Sequence, residues 1–200
     1  TNEIAQAEAA TGRVPFVKYW VHHNFLRINN EKMSKSLGNV FTIDDILSKG
    51  FDPMALRLLF LSTHYRSEMN FTWENLAGAQ TAWQSLSTKI TQFKHDTDRT
   101  VLSEEKLNRM AEYRQRFFGY MEDDLRTPEA LAVMWEVLKS SIPSIDKHDL
   151  IIEFDEVLGL GLAKLADAPQ QSMEVTKEEL PPEVQQLFDQ RERARIDKNW

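Results

Sequence analysis

The chain has 200 residues, 42% of them hydrophobic, enough for one domain or two small ones around a buried core. It contains no run of roughly eighteen apolar residues and no basic segment leading into an apolar one, which argues against a membrane-spanning helix and a signal peptide. A formal net charge of −7 argues against sequence-blind coating of nucleic acid, and the lack of cysteine excludes disulfides and thiolate metal sites and fits a cytoplasmic protein. In chain order, residues 1–11 predict an Ala-rich helix, with Gly12 suited to the left-handed position after it. Phe16 to Ile28 is rich in aromatic and β-branched residues and predicts strands, with turns or a bulge at His22-His23-Asn24 and at Asn29-Asn30.

The stretch Lys32-Met33-Ser34-Lys35-Ser36-Leu37-Gly38-Asn39 follows at once. Two cations, two hydroxyls and a glycine in eight residues suit a mobile loop that grips a polyphosphate. Ammonium groups can neutralise phosphate charge, while serine and glycine let backbone N–H groups come close. The plain alternative is a solvated basic turn.

From residue 42 the pattern is helical. Thr42 caps a short helix with Asp44 and Asp45 in its first turn, and Gly50 ends it. Asp52-Pro53 starts a second, apolar and buried from Met54 to Leu61. Thr72 caps the longest, to about His95, with a seam of Leu76, Ala79, Trp83, Leu86, Ile90 and Phe93. Ser103 opens another, with Glu104 and Glu105 in its first turn. Thr127-Pro128-Glu129 opens the next, carrying Leu131, Trp135 and Leu138. A single helix is predicted over Lys147 to Leu165, with Leu150, Ile151, Phe154 and Leu158 as its stripe. Residues 72–165 thus predict an antiparallel helix bundle. Residues 166–180 predict a linker, and Pro181-Pro182 opens a last helix carrying Arg191, Arg193, Arg195 and Lys198 among acids. That helix could meet an anticodon arm or be a solvated face.

The octapeptide at 32–39 resembles the signature loop of class I aminoacyl-tRNA synthetases. Asn2 to Gln6 with Glu8 to Gly12, Tyr19-Trp20-Val21-His22, Asp52-Pro53 with Leu56-Arg57, Leu61 to Ser67 and Thr127 to Ala132 resemble cysteinyl-tRNA synthetases in particular. The His64-Tyr65-Arg66-Ser67 run sets them apart from the leucyl, isoleucyl, valyl and methionyl enzymes. The resemblance is dense over 1–86, recognisable to about 140 and weak beyond.

The resemblance implies a mainly α chain: the end of a Rossmann-type catalytic domain, with a short β-hairpin and the signature loop, then an antiparallel helix bundle. As domains it implies 1–66 as the catalytic part with a stem-contact region, 67–168 as a helical linker of the DALR type, and 169–200 as a linker with the start of an anticodon-binding region. It implies ATP-dependent activation of cysteine to cysteinyl-AMP and transfer to the 3′ end of tRNA(Cys), by a monomer without membrane contact. Lys35 and Lys32 match the catalytic lysines, and Ser34 and Ser36 complete the ATP loop. Glu3 lines up with the glutamate of a zinc site otherwise made of two cysteines and a histidine. Those partners, with a histidine-rich phosphate motif and the amino-acid pocket, are expected before Thr1. The chain is therefore expected to be a metal-free piece of a longer protein, inactive alone. Rival expectations are a cysteine ligase of mycothiol synthesis, a non-catalytic RNA-binding or scaffold module, and a different tRNA synthetase.

Of the five histidines, His22 and His64 sit in matched motifs, with structural or tRNA-facing roles open, and His23, His95 and His148 are expected on the surface. Tyr65-Arg66 could contact phosphate or cap a helix end. Trp83 and Trp135 are expected in the core. Asn24 stands where the family often has glycine, tolerable because asparagine accepts left-handed geometry. Arg126 stands where asparagine is common.

Overall fold

Helix starts follow the capping chemistry of the sequence. In the computed structural model, which describes residues 2–95 and 103–167, α1 (Asn2–Thr11) is closed by Gly12 at φ 67°. Thr42 and Asp45 form a reciprocal capping box on α2 (Ile43–Ser48). Asp52 caps α3 (Pro53–Leu61) through the Met54 N–H. The long α4 (Trp73–His95) and α5 (Glu104–Glu122, capped by Ser103) follow. Then come α6 (Thr127–Lys139), α7 (Ser144–Leu158) and α8 (Leu162–Asp167).

Three short strands make one sheet: β1 (Leu26–Ile28), β2 (Glu31–Lys32) and β3 (Met69–Phe71), in the order β2-β1-β3. β1 pairs antiparallel with β2, Ile28 opposite Glu31, and parallel with β3, Ile28 opposite Phe71. The chain is mainly helical, as expected, and the last helix predicted after Pro181 lies outside the described residues.

Helix α4 carries the packing. Leu76, Leu86 and Ile90 are fully buried and Trp83 nearly so, with Ala79 and Phe93 half-buried along the same seam. It packs on α3, α7 and α8, while α5 packs on α6. Trp83 is a core residue with a polar task. Its Nε1 donates to Asp52 Oδ2 at 2.9 Å, while Gln80 Oε1 accepts the Asp52 N–H. One carboxylate thus caps α3 and anchors it to α4. Phe117 of α5 stacks on Phe154 of α7 with centroids 4.0 Å apart. Trp135 is only half-buried, at the edge of the core.

Two expectations are corrected. The strand predicted over Phe16–Ile28 begins only at Leu26. Residues before it lack a full ladder partner, and β propensity reflects packing on a paired surface rather than an intrinsic preference. Their side chains stay out: Tyr19 is 85% exposed and Phe25 69%. The helix predicted over Lys147–Leu165 is two helices. Gly159 and Gly161 take φ 64° and 75°, and the buried Asp155 carboxylate accepts the N–H groups of Leu160 (2.6 Å) and Leu162 (2.7 Å). The side chain satisfies donors that a continuing helix would have used differently.

Candidate functional site

The lysine loop grows from a hairpin whose turn is Asn29-Asn30, at φ 50° and 65°. Paired left-handed residues match the right-handed twist of the flanking strands, and asparagine tolerates them. β3 fixes this turn from the side: the Asn30 N–H donates to Asn70 Oδ1 at 2.7 Å and the Asn29 N–H to the Phe71 carbonyl. Ile28, 3% exposed, plants the hairpin in the core.

Beyond Lys32, an exposed residue at the end of β2, Met33 packs against the core and Ser34 is half-buried. Lys35 opens a single 3-10 turn, Lys35–Leu37, and Gly38 at φ 65° reverses the chain. Ser34 and Ser36 hydroxyls lie 2.7 Å apart. Asn39 accepts the Ser34 N–H and donates to the Lys32 carbonyl. After the loop, Phe41 meets Trp73 edge-on with centroids 5.0 Å apart. The loop therefore has a fixed base and an exposed tip of Ser36, Leu37 and Gly38. Lys32, Ser34, Lys35 and Ser36 are brought together within one turn.

Glu3 lies elsewhere, in the first turn of α1, a helix with no buried residue. Among the described residues no group of three or more histidine, cysteine, aspartate or glutamate side chains could hold a metal ion. A lone carboxylate does not fit a structural or catalytic zinc site.

The His64–Ser67 run is tied to the turn between α5 and α6. Tyr65 Oη donates to Asp124 Oδ1 at 2.6 Å, and Arg66 Nη2 donates to the same oxygen at 2.8 Å. His64 Nε2 contacts the Asp124 carbonyl at 2.9 Å. The Tyr65 hydroxyl, with the Arg66 guanidinium beside it, holds the Asp124 carboxyl below its ordinary value. Arg66 is committed to this carboxylate rather than to a helix end. Arg126, by contrast, bonds Glu129 in the first turn of α6 at 2.6 Å and lies over Tyr120. Its guanidinium holds the Glu129 carboxyl low.

Asn24 does not use left-handed backbone. Among the described residues that conformation falls, outside glycine, on Asn29, Asn30, Asp124 and Leu125. Asn24 instead donates its Nδ2 to the Arg66 carbonyl and its N–H to that of Tyr65. His22 stacks with Trp20, and His23 is exposed. His148 is not a surface histidine: its side chain is 18% exposed. Asp124 and Asn39 were legible only as parts of motifs, since nothing in a sequence marks which carboxylate or carboxamide will serve as a hub.

Residues 1–81 match the family described as tRNA synthetases class I (C) catalytic domain. The match spans α1, the hairpin, the lysine loop, α2, α3, β3 and the start of α4. It supports aminoacyl-tRNA ligase chemistry in general for this segment. Among the described residues no helix is long and apolar enough to cross a membrane.

Proposed function

We propose that the chain supplies the lysine-loop side of a cysteine–tRNA ligase, with ATP, cysteine and tRNA(Cys) as substrates. The observation that carries the proposal is the Lys32–Asn39 loop, planted on a core-anchored hairpin within the segment that matches the synthetase family. Cysteine as the amino acid is supported by the resemblance of Asn2–Gly12, Tyr19–His22 and His64–Ser67.

The reaction has two steps. A carboxylate oxygen of cysteine attacks the α-phosphorus of ATP, the bond to the bridging oxygen breaks, and pyrophosphate leaves with the electron pair. The cysteinyl group then passes from AMP to a ribose hydroxyl at the tRNA 3′ end. Neither step needs a covalent bond to the protein, so catalysis is positioning and stabilisation of developing negative charge. Lys35 and Lys32 supply that positive charge, and lysine suits moving phosphate oxygens because its charge is compact on a flexible stem. Ser34 and Ser36 offer hydroxyl donors beside them. Loop closure brings the four residues onto the phosphates.

The only sheet among the described residues has three strands. The proposal therefore assigns to this chain the loop side of the site, with the amino-acid pocket on a separate nucleotide-binding half. Zinc enters no step: of the ligands implied by the resemblance only Glu3 stands here, and one carboxylate does not hold the ion.

Amino-acid-dependent ATP–pyrophosphate exchange tests the reading, using this chain joined to a class I nucleotide-binding half. Exchange driven by cysteine and charging of tRNA(Cys) support it. Exchange driven by methionine, valine or leucine moves the specificity elsewhere. Cysteinyl transfer to an amino-sugar but not to tRNA points to the mycothiol-type ligase.

A further inference from the structure

Both ends of the lysine loop meet at one side chain. Asn39 Oδ1 accepts the Ser34 N–H at 2.8 Å, and Asn39 Nδ2 donates to the Lys32 carbonyl at 3.1 Å. Only a carboxamide of this length satisfies both partners, because the N–H needs an acceptor and the carbonyl a donor. Aspartate lacks the donor, and alanine lacks both.

The tip is built on that junction. The Leu37 N–H donates to the Ser34 carbonyl at 3.2 Å, and the Ser34 hydroxyl meets that of Ser36. Every contact that shapes residues 35–37 thus returns to Ser34, and Asn39 holds Ser34 against Lys32. Asn39 itself is half-buried, whereas Ser36, Leu37 and Gly38 are exposed.

We propose that Asn39 is the positioning residue of the lysine loop: its carboxamide closes a rigid neck, so that the tip meets a polyphosphate as a preformed unit. This rests on the ATP-loop reading and adds a residue that need not touch the ligand. Ordering the tip in advance lowers the entropy that binding must otherwise overcome.

The test uses the full 200-residue chain, wild type and the variants Asn39→Ala and Asn39→Asp. Amide hydrogen exchange at Ser34 reports the neck, and backbone shifts of Lys32–Asn39 during titration with inorganic pyrophosphate report the tip. Wild type is expected to show a protected Ser34 amide and a saturable loop response. Asn39→Ala loses the protection, and its apparent affinity for pyrophosphate falls about tenfold, the size expected for two modest hydrogen bonds. Asn39→Asp keeps the Ser34 acceptor, so protection is retained while affinity falls by a smaller factor. Melting temperatures that stay within a few degrees separate this from unfolding.

Retained Ser34 protection in Asn39→Ala overturns the neck and leaves the ATP-loop reading intact. Lost protection with unchanged pyrophosphate affinity overturns the positioning role. No loop response in wild type, with Ser34 protected, overturns the polyphosphate reading and the role built on it.

Discussion

The Tyr65 hydroxyl donates to the Asp124 carboxylate at 2.6 Å, across 59 residues of sequence. Arg66 reaches the same oxygen and His64 the Asp124 carbonyl, so three consecutive side chains converge on one residue. That residue and Leu125 both hold left-handed backbone, at φ 59° and 52°, which is costly without glycine. The convergence explains why the His64–Ser67 run and the segment before Thr127-Pro128 both stand out in the sequence. They are two halves of one clasp between the lysine-loop segment and the helices.

The clasp depends on an ionised Asp124. Its carboxyl lies below the ordinary value of 3.8 in the folded chain. A group with a lowered folded pKa contributes stability that is complete above its unfolded pKa and is lost as pH falls through the folded one. Asp124→Asn is expected to lower the melting temperature slightly near pH 7 and to converge on wild type as pH falls below 3.8. Glu129, Glu136 and Asp45 are also held low, so wild type keeps other acid-sensitive contributions. Thermal melts of the two proteins from pH 7 downward measure the convergence. A constant gap across that range contradicts it.

Asp155 holds the break between α7 and α8 through two amide contacts and is 7% exposed. Asp155→Ala leaves both N–H groups buried without their partner and is expected to cost about 2–4 kcal/mol, against roughly half that for Asp155→Asn, which keeps one acceptor. Urea denaturation with an unchanged m-value is the measurement.

Gly159 and Gly161 share left-handed backbone but differ in their surroundings. A Cβ at Gly159 would lie 2.8 Å from Arg57 Nη2, while one at Gly161 meets nothing within 4 Å. Arg57 cannot swing away freely, because its Nε donates to the Leu158 carbonyl at 2.8 Å. Gly161→Ala is expected to cost about 1–2 kcal/mol from backbone strain, and Gly159→Ala about 1 kcal/mol more from the displaced hydrogen bond. Equal losses in denaturation midpoint would show that Arg57 yields at no cost.

Sequence legibility followed the range of the interaction involved. Caps are local: Thr42, Asp52 and Ser103 each start a helix where they stand. The α4 seam repeats its signal across six turns and was equally plain. The β1–β3 pairing was hidden, because it joins Leu26–Ile28 to Met69–Phe71 and depends on where the chain returns. Aromatic residues before Leu26 promised strands that no neighbouring strand completes. Gly159-Leu160-Gly161 was a visible punctuation inside the last predicted helix, overruled by apolar periodicity on either side. At the site, the loop's chemistry was legible in eight residues. Its neck was not, because that depends on which way one carboxamide faces.

The central claim concerns Lys35, which opens the turn at the loop's tip. Its most direct test is single-turnover formation of cysteinyl-AMP by the assembled ligase, with wild-type chain and with Lys35→Ala, alongside tRNA binding. Losing one charge that acts on the transition state is expected to slow adenylation by about 100-fold or more, with tRNA affinity largely unchanged. An adenylation rate equal to wild type would contradict the assignment.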